Sequence, residues 1–128
     1  MDLVAIRASA SPYLQGLLRI VVGLLFLEHG TAKLIGFPAT PGGGQESHSL
    51  LLFTGAVELV GGALLVIGFR TAPVAFVLSG YMAVAYFWAH FPTSFFPILN
   101  HGEPAILYCF VFLYLAAAGP GAWSVDKR

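Results

Sequence analysis

Charge is what this sequence has least of. Of its 128 residues only 9% are charged, against 58% hydrophobic, whereas soluble domains carry about 25% charged residues. So few charges cannot cover a water-exposed surface, and with a mean hydropathy of +0.83 a water-soluble globule is excluded. Six basic residues balance six acidic ones, with no basic stripe, so a nucleic-acid partner is not expected. A single cysteine excludes an internal disulfide and a CxxC redox pair. Cys109 lies in an apolar run, where a thiol acts as a small packed residue. No Walker or dinucleotide glycine pattern occurs, no nucleophile elbow, no haem-attachment motif and no cluster cysteines. His29, His48, His90 and His101 show no HxxxH or ExxH spacing, so no metal site is expected.

What remains is apolar runs. Four are long enough to approach a bilayer's thickness, at about 13–34, 50–68, 73–90 and 103–118. Backbone groups in lipid must be satisfied within the segment, so the runs predict helices. The expectation is a single all-α domain over 1–128, a bundle of four transmembrane helices. The first run carries Arg19, Glu28 and Lys33. Arg19 is expected to snorkel toward the headgroups. No small-x-small cleavage site follows this run, so it does not read as a signal peptide. The Gly36–Ser49 stretch, with Gly42-Gly43-Gly44, predicts a loop, and the aromatic, proline-broken Phe91–Leu99 stretch predicts an interfacial segment. Arg7, Arg70, Lys127 and Arg128 fall on one side and only Lys33 on the other, which predicts a multi-pass protein of the inner (cytoplasmic) membrane with both termini on the cytoplasmic side. Trp88 and Trp123 suit interfacial anchors.

With that orientation most ionisable residues gather in the outer half, and intramembrane charge is costly enough to mark function. Glu58 is the sharpest signal. Its helical neighbours Thr54, Gly55, Gly61 and Gly62 form a face of small residues, the kind that packs closely against another helix. Side chains lean toward a helix's N-terminus, so in an antiparallel pair Glu58 converges with His29 and Lys33. These three form the predicted catalytic cluster. Glu28, on another face, is read as solvated. Tyr86, His90, His101 and Glu103 are the candidate ligand-binding residues, while Tyr86 also suits an interfacial belt. Asn100-x-x-Glu103 followed by Pro104 predicts a capping box at a helix start.

These residues resemble the DoxX family of small four-helix membrane proteins. The resemblance rests on Arg19-x-x-x-Gly23-x-x-Phe26-x-x-His29-Gly30-x-x-Lys33-Leu34 and Gly55-x-x-Glu58-x-x-Gly61-Gly62-x-x-Leu65-x-x-Gly68. It continues through Asn100-His101-Gly102-Glu103-x-Ala105-x-Leu107-Tyr108 and Gly119-Pro120-Gly121-x-Trp123-Ser124-x-Asp126. His101 stands where the family usually shows a glycine. The resemblance implies an oxidoreductase link, a quinone as the ligand and a partner redox enzyme subunit, since relatives resemble a subunit of a thiosulfate:quinone oxidoreductase. The open alternative is a non-catalytic scaffold or a holder of a lipid-like ligand. A transporter fits less well, because broken helices and inverted repeats are missing. Membrane lipid and a second copy of the chain are further expected partners.

Overall fold

The computed structural model describes residues 2–40 and 47–127. The Gly42–Gly44 stretch and Arg128, used above for loop and orientation, lie outside the described residues. Among the described residues the chain is helical, with no strand. Three helical segments are long and apolar enough to cross a membrane, Leu3–Ile35, His48–Ile67 and Thr71–His90, and a shorter apolar helix covers Glu103–Ala118. The chain divides into two compact units, Met1–Arg70 with Pro120–Arg128, and Thr71–Gly119.

In the first unit, α1 (Leu3–Ile35) starts ten residues before the expected position. Asp2 caps it, its carboxylate accepting the Ala5 N–H at 2.8 Å. The added turns are exposed and less apolar, so a hydropathy reading does not see them. Helix α2 (His48–Ile67) begins at the N-cap Ser47, whose hydroxyl accepts the Leu50 N–H at 3.2 Å, and ends at Gly68 in the left-handed conformation. The two helices run antiparallel at close range. A Cβ added at Gly30 would stand 2.5 Å from the Leu59 nitrogen, and one at Gly62 would stand 2.6 Å from the Leu27 nitrogen. Only glycine lets the backbones approach this far, and dispersion contacts then replace the hydrophobic drive that lipid removes.

The C-terminal segment completes this unit. The Ala122 N–H donates to the Pro12 carbonyl at 2.9 Å, Val125 N–H to Ile67 at 3.0 Å and Asp126 N–H to Gly68 at 2.9 Å. Asp126 also accepts the Arg70 N–H at 2.7 Å. The bonds to Ile67 and Gly68 satisfy carbonyls that the end of α2 leaves open. Arg19 corrects the sequence reading: rather than snorkelling to headgroups, its side chain is fully buried at 0% exposure. Its Nε donates to the Leu65 carbonyl at 2.8 Å, and its terminal nitrogens donate to Pro120, to Ala122 at 3.0 Å and to Trp123 at 2.6 Å. The tail brings the carbonyls that sequence inspection expected headgroups to supply.

In the second unit α3 (Thr71–Ala85) runs into a π-helical turn, Tyr86–His90. Pro92 has no N–H for the Trp88 carbonyl, and the Phe91 N–H bonds to Tyr86, five residues back, at 2.9 Å. The stretch that follows holds turns and the short helix α4 (Pro97–Asn100), with Phe95, Phe96, Ile98 and Leu99 exposed. Helix α5 (Glu103–Ala118) lies antiparallel to α3, and the Ser79 hydroxyl donates to the Cys109 carbonyl at 2.8 Å. The expected capping box is not formed. Gly102, not Asn100, is the N-cap of α5 and makes no side-chain cap; His101 takes the left-handed conformation at φ 59, and the Asn100 side chain accepts the N–H of Gly102 at 2.8 Å instead of bonding inside the helix. The left-handed conformation suits glycine.

Candidate functional site

Lys33 lies in the last turn of α1, where the helix dipole favours a cation. Glu58 lies in the middle of α2 on its face of small residues. A Cβ at Gly55 would stand 2.9 Å from the Leu34 side chain and 3.1 Å from the Lys33 Cβ. The glycine therefore admits the end of α1 and lets Lys33 reach inward. The Lys33 Nζ donates to Glu58 Oε2 at 2.9 Å and to the Thr54 hydroxyl at 3.2 Å. The Thr54 hydroxyl in turn donates a hydrogen bond to the Leu50 carbonyl at 2.9 Å. The result is a directed chain from α1 across to the backbone of α2.

The pair is unequally covered: the Lys33 side chain is 24% exposed and that of Glu58 is 8% exposed. A charged carboxylate in such a setting is tolerable only with its counter-ion, since losing one partner of a buried pair costs about 3–5 kcal/mol. Lys33 holds three N–H donors and spends two on Glu58 and Thr54, leaving one for a ligand or for the interface. A carboxyl paired with an ammonium in low dielectric can exchange a proton with a bound polar group.

His29 and Glu28 are exposed, as are His48, His101 and Glu103. Tyr86 and His90 do meet, in the second unit, with ring centroids 6.3 Å apart and planes 24° from parallel. Among the described residues no group of three metal-ligating side chains converges. Sequence reasoning passed over Thr54 as a hydrogen-bonding member of the site, though it was visible four residues before Glu58. It also reduced Asn100 to a helix cap, whereas its buried side chain is a hub. The amide donates to the Tyr86 oxygen at 3.0 Å and the Ser94 carbonyl at 2.9 Å, and accepts the Gly102 N–H at 2.8 Å.

The family model described as DoxX matches residues 14–91. An uncharacterized protein of Haemophilus influenzae is 45% identical over 122 residues, covering 91% of each chain. The inner membrane protein YphA of Escherichia coli is 28% identical over 130 residues, covering 94% of this chain and 93% of its own. No solved structure matches.

Proposed function

The chain belongs to the DoxX family, and from that premise we propose that it is the quinone-linked membrane subunit of a redox system, with the Lys33–Glu58 pair as its polar site. Four helices span the inner membrane in this reading, with both termini cytoplasmic, as the lysine and arginine distribution favours. The observation that carries the proposal is the part-buried ammonium–carboxylate contact at 2.9 Å within an apolar hairpin. Reducing a quinone to a quinol takes two electrons and two protons. A partner redox enzyme supplies the electrons, because this sequence has no electron-carrier motif of its own. Both protons come from the aqueous phase through Lys33, which donates an N–H proton to a quinone oxygen and is reprotonated from water before the next, while the Glu58 carboxylate steadies the ammonium. YphA's name describes an inner membrane protein, which supports the location.

The test is saturable binding of a short-chain ubiquinone analogue to the protein in lipid nanodiscs. Lys33→Met should weaken binding roughly tenfold, as loss of a charged hydrogen bond of about 1.5 kcal/mol requires. A folded wild-type protein that binds no quinone, or binds it as well after Lys33→Met, refutes the proposal. The second reading, a holder of a lipid-like ligand for a partner enzyme, draws on the partial exposure of Lys33, which lets the ammonium meet an anionic headgroup. Competition by anionic lipid without any quinone effect would favour it.

A further inference from the structure

We infer that His90 is a binding residue for an uncharged, membrane-dissolved hydroxyl compound, whose O–H donates to His90 Nε2. The starting point is a hydrogen bond of fixed direction. His90 Nδ1 lies 2.9 Å from the Asn100 main-chain oxygen. A carbonyl oxygen only accepts, so Nδ1 carries the proton, and in the neutral ring Nε2 is a bare acceptor. Among the described residues no donor is recorded at Nε2, and His90 is half-exposed.

The surroundings hold this arrangement in place. Asn100 is 3% exposed and its side chain is tied by the three hydrogen bonds given above, so the carbonyl facing His90 cannot drift. Tyr86, 9% exposed, accepts one of those bonds and stacks on the imidazole. The π-turn sets the two rings over one another, and local π-helical turns recur at functional sites.

The character of the ligand follows from charge. Residues 71–119 contain no lysine or arginine, and Glu103 is their one formal charge. An anion would find no counter-ion in this unit. A neutral O–H donor suits the bare nitrogen, and an apolar body suits the neighbourhood. A shallow groove of about 430 Å³ lined by Ala83, Val84, Phe87 and Trp88 lies on the same run of helix. Such a hydroxyl can come from a ring or from an aliphatic lipid alcohol. This inference rests on the second unit alone and does not depend on the Lys33–Glu58 reading.

The experiment uses full-length protein in nanodiscs with ¹⁵N-labelled histidine. The exposed His29, His48 and His101 are changed (His29→Asn, His48→Asn, His101→Asn), so that the remaining imidazole signal belongs to His90. The unliganded protein should show Nδ1 protonated and Nε2 bare. Titration with 4-octylphenol and with 1-decanol should move the Nε2 resonance saturably; a response to one of the two identifies ring or aliphatic hydroxyl as the source. 4-Octylanisole, which keeps the shape and lacks the O–H, should bind at least about fivefold more weakly, the loss expected for one hydrogen bond. Tyr86→Phe should broaden or shift the unliganded signal by loosening Asn100. A proton on Nε2 in the unliganded protein, no saturable shift with either hydroxyl probe, or equal binding of the anisole would overturn the inference. The phenol–anisole comparison needs no substitution at the site, so it stands even if Tyr86→Phe misfolds.

Discussion

Replacing Arg19 by methionine leaves the carbonyls of Pro120, Ala122 and Trp123 without their donor, while Leu65 keeps a bond from the Gly68 N–H at 3.2 Å. Each orphaned buried acceptor costs about 1–3 kcal/mol, so three give an upper bound near 9 kcal/mol by the same scale. The true cost is capped earlier, because the tail can leave and let water reach its carbonyls. Leaving forfeits the bonds from Ala122, Val125 and Asp126 to α1 and α2. The expected destabilisation of the docked tail is therefore about 3–5 kcal/mol, the range seen when a buried charged contact is broken. Chymotrypsin cleavage after Trp123, followed by mass spectrometry, reads the open population directly when closing is fast. Three kcal/mol raises that population by about a hundredfold. Arg19→Lys should fall between: an ammonium is a point donor with three N–H groups and cannot span four carbonyls held in a fork. Cleavage of Arg19→Met at the wild-type rate, with unchanged unfolding, would show that the tail is held by something other than the guanidinium.

At the ion pair, Glu58→Gln should keep the shape but leave Lys33 without a counter-charge. A loss of about 1–2 kcal/mol in detergent unfolding is expected, and Glu58→Leu should cost more by removing the acceptor of the Lys33 N–H altogether. Gly30→Ala should destabilise by about 1–3 kcal/mol or more, because the new methyl meets the backbone of Leu59. Gly80→Ala, which meets nothing within 4 Å, should be neutral or stabilise by up to about 1 kcal/mol through helix propensity; reversed signs in thermal melts would refute the close-approach argument. His101→Gly should stabilise by roughly 1 kcal/mol through relief of the left-handed backbone. Cysteines placed at Gly42–Gly44 should label only from the non-cytoplasmic side, and labelling from the cytoplasm alone would invert the proposed topology.

The apolar spans were legible because lipid imposes one requirement, internal hydrogen bonding along a run of fixed length. The inward turn of Glu58 was legible for a related reason: four small neighbours at helical spacing make sense only against another helix. The meeting of Lys33 and Glu58 followed from the lean of side chains on opposed helices. Other features depended on segments far apart in sequence. Nothing near Arg19 announces that carbonyls a hundred residues later will surround it. The first ten residues of α1 start from the Asp2 cap and hold three alanines, a leucine and an arginine among weaker helix formers, to which an apolar-run criterion is blind. The π-turn and the left-handed His101 are backbone decisions, forced by Pro92 and by the need to bring Asn100 under Tyr86. A residue pattern alone reads Asn100 as a helix cap, since the same amide that caps a helix can equally tie a loop.

The first hairpin therefore holds two cations by opposite means, and the difference separates structure from chemistry. Arg19 meets four main-chain carbonyls and is fully buried. A guanidinium does not give up its proton in proteins, and its partners are neutral groups that cannot take one. Such a contact fixes geometry and does nothing else. Lys33 meets a titratable carboxylate, keeps an N–H to spare and remains partly open to its surroundings. Here a proton has somewhere to go and a ligand has a donor to meet. If the hairpin carries proton-linked chemistry, it follows that Arg19→Lys should disturb the fold and activity in parallel, whereas Lys33→Arg, which keeps the counter-charge on Glu58 but does not give up its proton, should lower activity with the unfolding midpoint nearly unchanged. Measuring both variants in the same nanodiscs decides the matter: a Lys33→Arg protein that keeps full activity would make the ion pair a structural tie like the other.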